Sequence, residues 1–151
     1  MNNKHLEIKT ELQIQRPVEI VFEAIVDPDK MSNYFISKSN GRIEEGKTLH
    51  WEFAEFDHSF PVRIDSVRKN KYISFFWDGN DEHELKVEMQ LKALGNTTLL
   101  TITEKSRPND DAGIEWLMGN TAGWSNFLAC LKAYTEYGIN LRKGAFDFLR
   151  K

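Results

Sequence analysis

The sequence predicts an α+β fold: an antiparallel sheet covered by one long C-terminal helix, with two short helices after the first strand. Three observations predict it. Residues 6–14 alternate apolar and polar side chains. Residues 47–105 divide into alternating runs separated by turn signals at hairpin spacing. Residues 123–138, "GWSNFLACLKAYTEYG", carry their large apolar side chains on one helical stripe.

In order along the chain, Leu6, Ile8, Thr10, Leu12 and Ile14 alternate with Glu7, Lys9, Glu11 and Gln13, and period two marks a strand with one buried face. Pro17 suits the first turn of a helix, and Val18, Val21, Phe22, Ile25 and Val26 follow at helical spacing. Asp27 and Pro28 end that helix, because the residue before proline is pushed out of the α region. A second short helix is expected over 31–35. Turn signals then recur at Glu44-Glu45-Gly46, Asp57-His58, Asn70, Asp78-Gly79-Asn80 and Gly95-Asn96. Between them lie "KTLHWEF", "FPVRIDSV", "YISFFW", "HELKVEMQL" and "TTLLTITEK", a meander of consecutive hairpins. Asn40-Gly41 and the Glu-Glu-Gly corner serve equally as the first turn, so that register stays open.

Pro108, Asp110 and Asp111 break the last strand and start the final helix, Gly119 and Gly123 are places where it can kink, and Gly138 is its C-cap. A helix advances roughly 100° per residue, so Trp124, Phe127, Leu128 and Leu131 share a stripe while Lys132 and Glu136 fall opposite. The tail after Gly138 is expected to pack Ile139, Leu141, Phe146 and Phe148. A sheet with one apolar face needs a cover, and the long helix is the candidate. No repeat, low-complexity segment or linker interrupts the chain, so 1–151 reads as one domain.

Composition narrows the function. The 151 residues carry a net charge of −3, which argues against a general nucleic-acid binder with its basic face. A chain of this size buries about 70% of its unfolded surface, so it needs neither disulfide nor metal to fold. The single cysteine, Cys130, reads as a small packing residue and fits a reducing compartment. The N-terminus lacks the apolar core of a signal peptide, and no run approaches the ~20 apolar residues of a membrane helix. A soluble, cytoplasmic protein with no membrane insertion is expected.

Three stretches carry a family resemblance. "IQRPVEIVFEAIVDP" resembles the opening strand-to-helix passage of the SRPBCC (START, or Bet v-like) superfamily. "LLTITEKSRP" resembles its last strand, with Thr-x-x-Glu, and "GWSNFLACLKAYTEYG" its closing helix, with Gly-Trp and then Leu-Lys-x-Tyr. Within the superfamily the chain is most similar to the activator of Hsp-90 ATPase homologue-like (AHSA-like) domain, over nearly its whole length. The resemblance implies a helix-grip fold, a curved antiparallel sheet wrapped around the C-terminal helix with a cavity between them. It also implies a range of roles: ligand carriers, lipid-transfer domains, cyclases and a chaperone co-factor of the stress response. The eukaryotic co-chaperone adds a separate N-terminal domain for which this sequence has no room, so fold membership leaves function open.

Alternation turns Leu49, Trp51 and Phe53, then Ile73, Phe75 and Trp77, then Leu85, Val87, Met89 and Leu91, and finally Leu100, Ile102 and Glu104 toward one face. The helix adds Leu117, Trp124, Phe127, Leu128 and Leu131. Most of these residues simply make a core. Those nearest a cavity mouth are expected to bind ligand, since aromatic rings supply area at little entropic cost. The candidate cavity lining is Trp51, Phe53, Phe75, Trp77, Met89, Ile102, Glu104, Trp116, Asn120, Trp124, Phe127 and Leu128. Glu104 is the sharpest case, because an inward carboxylate is costly unless paired. Asn120 and Thr121 lie near the Trp124 stripe and offer it partners. The alternatives are that the strand's end turns Glu104 to water, or that it caps the helix as structural glue. As a ligand-orienting group its change to glutamine is expected to weaken binding and leave the fold intact.

No catalytic constellation accompanies Glu104. His5, His50, His58 and His83 lack metal-ligand spacing, and His50 is expected to face outward. Neither a nucleophile elbow nor a phosphate-cradling glycine loop is present; Gly113, Gly119 and Gly123 lack the fingerprint. Arg68-Lys69-Asn70-Lys71, the tail cations Arg142, Lys143, Arg150 and Lys151, and the acidic turn "DGNDEHE" read as solvated faces. The expectation is a small hydrophobic-ligand binder with no cofactor, catalytic residue or metal, whose partner is an apolar or aromatic molecule. The alternatives are an interaction module acting on a chaperone or stress-response protein, and a cyclase- or hydrolase-like enzyme using Glu104. Oligomeric state is not legible, with a homodimer left open.

Overall fold

The computed structural model describes residues 4–78 and 84–150; His83 and most of the turn expected from Asp78-Gly79-Asn80 lie outside the described residues. Seven strands form one antiparallel sheet: β1 (His5–Ile14), β2 (Lys38–Ser39), β3 (Thr48–Glu52), β4 (Ser59–Arg68), β5 (Tyr72–Asp78), β6 (Glu84–Leu94) and β7 (Thr97–Pro108). Their spatial order is β1-β7-β6-β5-β4-β3-β2. Strands β3 to β7 pair as consecutive neighbours, which is the hairpin meander. The last strand then sits beside the first, with Ile8 opposite Glu104 and Leu12 opposite Leu100. Asn70 and Gly95 turn with φ of 63° each, and Gly46 with φ of 84°.

Helix α1 (Val18–Val26) buries Val21, Phe22, Ile25 and Val26. The second helix, α2, covers Pro28–Met31 rather than 31–35. The Asp27-Pro28 pair that stops α1 also starts α2: Asp27 Oδ1 accepts from the Asp29 N–H at 2.9 Å, and Pro28 takes the first-turn position that lacks an amide partner. Residues 32–35 are a turn that sends Tyr34 into the core, where its hydroxyl donates to the Ala24 carbonyl at 3.0 Å and burial pushes its pKa up.

The long helix α3 (Asp111–Tyr137) runs unbroken through Gly119 and Gly123, and Gly138 caps it in the left-handed region. Asp110 accepts from the Gly113 N–H at 2.8 Å. Glycine is required at 113 because a Cβ there would lie 1.8 Å from the Pro108 carbonyl oxygen. The helix packs against β1 and β7, burying Trp124, Phe127, Leu128 and Leu131. This is the helix-grip arrangement, and the inward rows of the strands complete the core.

Two details depart from the sequence reading. Lys132 and Glu136, read only as opposite the stripe, are tied to the end of β1, with side chains 32% and 7% exposed. The Gln15 N–H donates to Glu136 Oε2 at 2.7 Å, and the Lys132 ammonium donates to both Glu136 and the Gln13 carbonyl. The end of β1 reaches past the helix stripe and docks on its flank. Burial opposes charge on Glu136, but the Gln15 N–H and Lys132 outweigh it and hold its pKa below the ordinary carboxylate value. A depressed folded pKa contributes stability above the unfolded value and loses it as pH falls through the folded one. Glu136→Gln is therefore expected to cost about 1–2 kcal/mol at pH 7, with the gap to the parent closing below about pH 4.3. Urea midpoints across that range check this; a gap independent of pH would contradict it.

The tail is the second departure. Ile139, Leu141 and Phe148 are exposed, whereas Phe146 packs and a single 3-10 turn spans Asp147–Leu149. Among the described residues no helix is long and apolar enough to cross a membrane.

Candidate ligand-binding site

The site begins with one carboxylate. β7 presents Glu104 inward, between Ile8 of β1 and Val87 of β6, and it is fully buried. Three donors converge on it. Trp124 Nε1 donates to Oε1 at 2.7 Å, Trp77 Nε1 to Oε2 at 2.9 Å, and Asn120 Nδ2 to Oε1 at 3.1 Å. Asn120 and Trp124 are four residues apart on α3, which puts both on one face; Trp77 comes from β5 across the sheet. An ionised carboxylate only accepts, so a buried one is tolerated where N–H groups surround it. The consequence is mechanical: Glu104 ties the last strand, the middle of the sheet and the helix together, and it fixes two indole rings 5.5 Å apart between centroids.

Those rings form one wall of a cavity of about 310 Å³ between sheet and helix. Of the residues expected to line it, Phe53, Trp77, Trp116, Asn120, Trp124 and Phe127 do. Trp51, Phe75, Met89, Ile102, Leu128 and Glu104 do not. Trp51, Phe75, Met89, Ile102 and Leu128 are each about 1% exposed or less and belong to the packed core. Parity alone separates inward from outward, and depth along the strand decides which inward residues meet empty space. Trp51 meets Phe35, Phe75 and Trp77 edge-on instead. Glu104 lies behind its three donors, so it faces neither water nor the cavity. Trp124, at 3% exposed, points inward.

The rest of the wall was not anticipated. Phe35, Phe56 and Phe60 add rings, and Gly123, Asn126, Glu55, Arg142 and Phe146 complete it. Phe35 stands edge-on to Phe53 and Phe127 at 5.1 and 4.8 Å. Arg142, in the tail read as solvated, forms a two-bond pair with Glu55: Nη1 to Oε1 at 3.1 Å and Nη2 to Oε2 at 2.7 Å. Their side chains are only 15% and 7% exposed. The guanidinium lies 4.8 Å from the Phe146 ring centroid and 5.6 Å from that of Phe53, cation–π geometry that a partly dry setting strengthens. This clasp folds the tail over one side of the cavity. Beyond it a second hollow of about 590 Å³ shares Phe35, Glu55, Arg142 and Phe146, and Ser32, Asn140 and Lys143 also line it. A bidentate pair 87 residues apart leaves no periodic signal; the only hint in the sequence is an arginine beside tail aromatics.

His50 is exposed on the outer side of β3, and Cys130 is buried with a thiol pKa raised by burial. Among the described residues no three His, Cys, Asp or Glu side chains gather as a metal set would.

Comparison with known proteins places this architecture. A family model described as "Activator of Hsp90 ATPase homolog 1-like protein" matches residues 15–136. The solved structure of protein SSP2350 from Staphylococcus saprophyticus is 34% identical with a TM-score of 0.81, over 91% of this chain and 96% of that one. DynU16, a putative protein in the dynemicin biosynthetic locus, is 23% identical with a TM-score of 0.78; the match covers 89% of this chain and 48% of DynU16. The Aha1 dimer from Colwellia psychrerythraea is 19% identical with a TM-score of 0.76, over 88% and 98% of the two chains. The last two likenesses concern the fold alone. No curated protein matches the chain.

Proposed function

The chain belongs to the Activator of Hsp90 ATPase homolog 1-like family, and from that footing we propose that it binds a small hydrophobic ligand between its sheet and α3. One observation carries the reading: a cavity of about 310 Å³, walled mainly by aromatic rings with a few polar groups among them. Small-molecule pockets run from about 300 to 1,000 Å³ and share that composition, so the space suits a compact molecule of one or two rings. Glu104 is a positioning residue in this reading. Its oxygens are occupied by Trp77, Asn120 and Trp124, which argues for holding the aromatic wall in place and against the acid–base role, since a general acid must reach the reacting proton.

Gly123 offers the test. It lines the cavity, and a Cβ built there meets nothing within 4 Å. Gly123→Phe fills the space from a helical position that gains from losing glycine. 1-Aminonaphthalene, a two-ring fluorescent probe that is uncharged at pH 7, is expected to bind the parent and Gly123→Ala, and to bind Gly123→Phe at least about tenfold more weakly with no loss of melting temperature. Equal binding to a folded Gly123→Phe would refute the cavity as the site. A protein-partner role is the second reading, favoured by the exposed apolar tail at Ile139, Leu141 and Phe148. Partner binding through that surface would be indifferent to plugging the cavity.

A further inference from the structure

Trp116 lies on the cavity wall, is 5% exposed, and its indole Nε1 is buried without a hydrogen-bond partner among the described residues. The contrast with the other two tryptophans of the wall is direct. Trp77 and Trp124 both donate to Glu104, and Asn120, one helical turn from Trp116, turns its amide N–H toward the same carboxylate. Glu104 thus consumes the neighbouring donors and leaves one. A buried donor with no acceptor is rare in folded proteins and disfavoured by the whole cost of removing it from water. A lone water would need two to four polar partners to settle there, and most of this wall is aromatic.

We infer that Trp116 is a ligand-binding residue whose indole N–H donates to a hydrogen-bond acceptor, such as a carbonyl oxygen, on an aromatic ligand in the cavity. The inference rests on the cavity being a ligand site. The rings of Phe35, Phe53, Trp77, Trp124 and Phe127, packed on one another, supply the apolar wall for the flat part of the molecule, while Trp116 selects for the oxygen and sets its direction. Selection follows because a site that holds a buried donor rejects a ligand unable to satisfy it.

Two probes of nearly equal shape separate the claims: 2-acetylnaphthalene, which carries the acceptor, and 2-isopropenylnaphthalene, which puts a CH₂ in its place. The ketone is expected to bind the parent protein about tenfold more tightly than the alkene, the usual size of one buried hydrogen bond. Trp116→Phe, which keeps an aromatic ring and loses the N–H, is expected to bind both equally. In ¹H–¹⁵N spectra the indole proton signal missing from Trp116→Phe should move downfield on adding the ketone, as a new hydrogen bond deshields it, and lack that downfield displacement with the alkene. Equal affinity of the parent for both probes, or a preference that survives in Trp116→Phe, overturns the assignment while leaving the cavity as a ligand site. Binding of neither probe overturns both. The comparison on the parent protein stands even where the variant fails to fold.

Discussion

Glu104→Gln is expected to lower the unfolding midpoint by roughly 5–10 °C, which for a chain of this length corresponds to about 2–3 kcal/mol. Sequence alone assigns the effect of this change to ligand binding; the geometry moves it to stability. Each carboxylate oxygen receives one indole N–H, with Asn120 as a third donor. A glutamine supplies one acceptor oxygen and one NH₂, so an indole N–H must face another donor in a fully buried place. Removing the mismatched donor should recover part of the loss: Glu104→Gln combined with Trp77→Phe or Trp124→Phe is expected to be less destabilised than the sum of the single changes, as groups sharing one network are not additive. Calorimetry of the four proteins in each cycle decides it. A midpoint within a degree of the parent for Glu104→Gln would mean that the three-donor cluster does not hold the fold together.

Arg142→Ala should release the tail. The Arg142–Glu55 pair is nearly dry and bidentate, and removing one partner of such a pair leaves a charge without compensation, worth about 3–5 kcal/mol when nothing can move. Here something can move. Residues 139–150 follow α3 with Ile139, Leu141 and Phe148 already exposed, so the structure relieves the Glu55 charge by letting this segment peel away and water in. The expected readout is local. Amide hydrogens bonded within the tail, those of Ala145, Leu149 and Arg150, should exchange about 100-fold faster, with a smaller change in the global midpoint. Arg142→Lys should behave much as alanine, since an ammonium reproduces neither the two-bond fork nor the stacking on Phe146 and Phe53. Exchange rates unchanged in Arg142→Ala would show that the clasp does not anchor the tail.

These two results bear on how much of the molecule could be read in advance. The strands and α3 were legible because a half-buried sheet and a covered helix impose periods of 2 and 3.6 on the sequence, and Leu49-Trp51-Phe53 or Trp124-Phe127-Leu131 obey them. The same alternation pointed Glu104 inward, and helical phase set Asn120 near it. The short helix starts three residues and ends four residues earlier than periodicity places it, because Pro28 both ends one helix and starts the next, and periodicity cannot mark so brief an element. Within the candidate site, parity grouped Trp51, Phe75 and Met89 with Phe53 and Trp77, although the first three fill the core and only the latter two border the cavity.

What the sequence determined by itself is therefore the long strands and the two longer helices, the face each one buries and the presence of a carboxylate on that face, all consequences of local geometry acting on a repeating backbone. Only the tertiary structure decided how far the helix stands from the sheet, hence where side chains meet each other and where they leave about 310 Å³ between them. It also decided which polar atoms found partners. Glu104 drew in two indoles and an amide, Arg142 found Glu55 across 87 residues, and the Trp116 donor was left without a partner among the described residues. Such pairings depend on distances between segments remote in the chain, and no pattern along the chain encodes a distance in space.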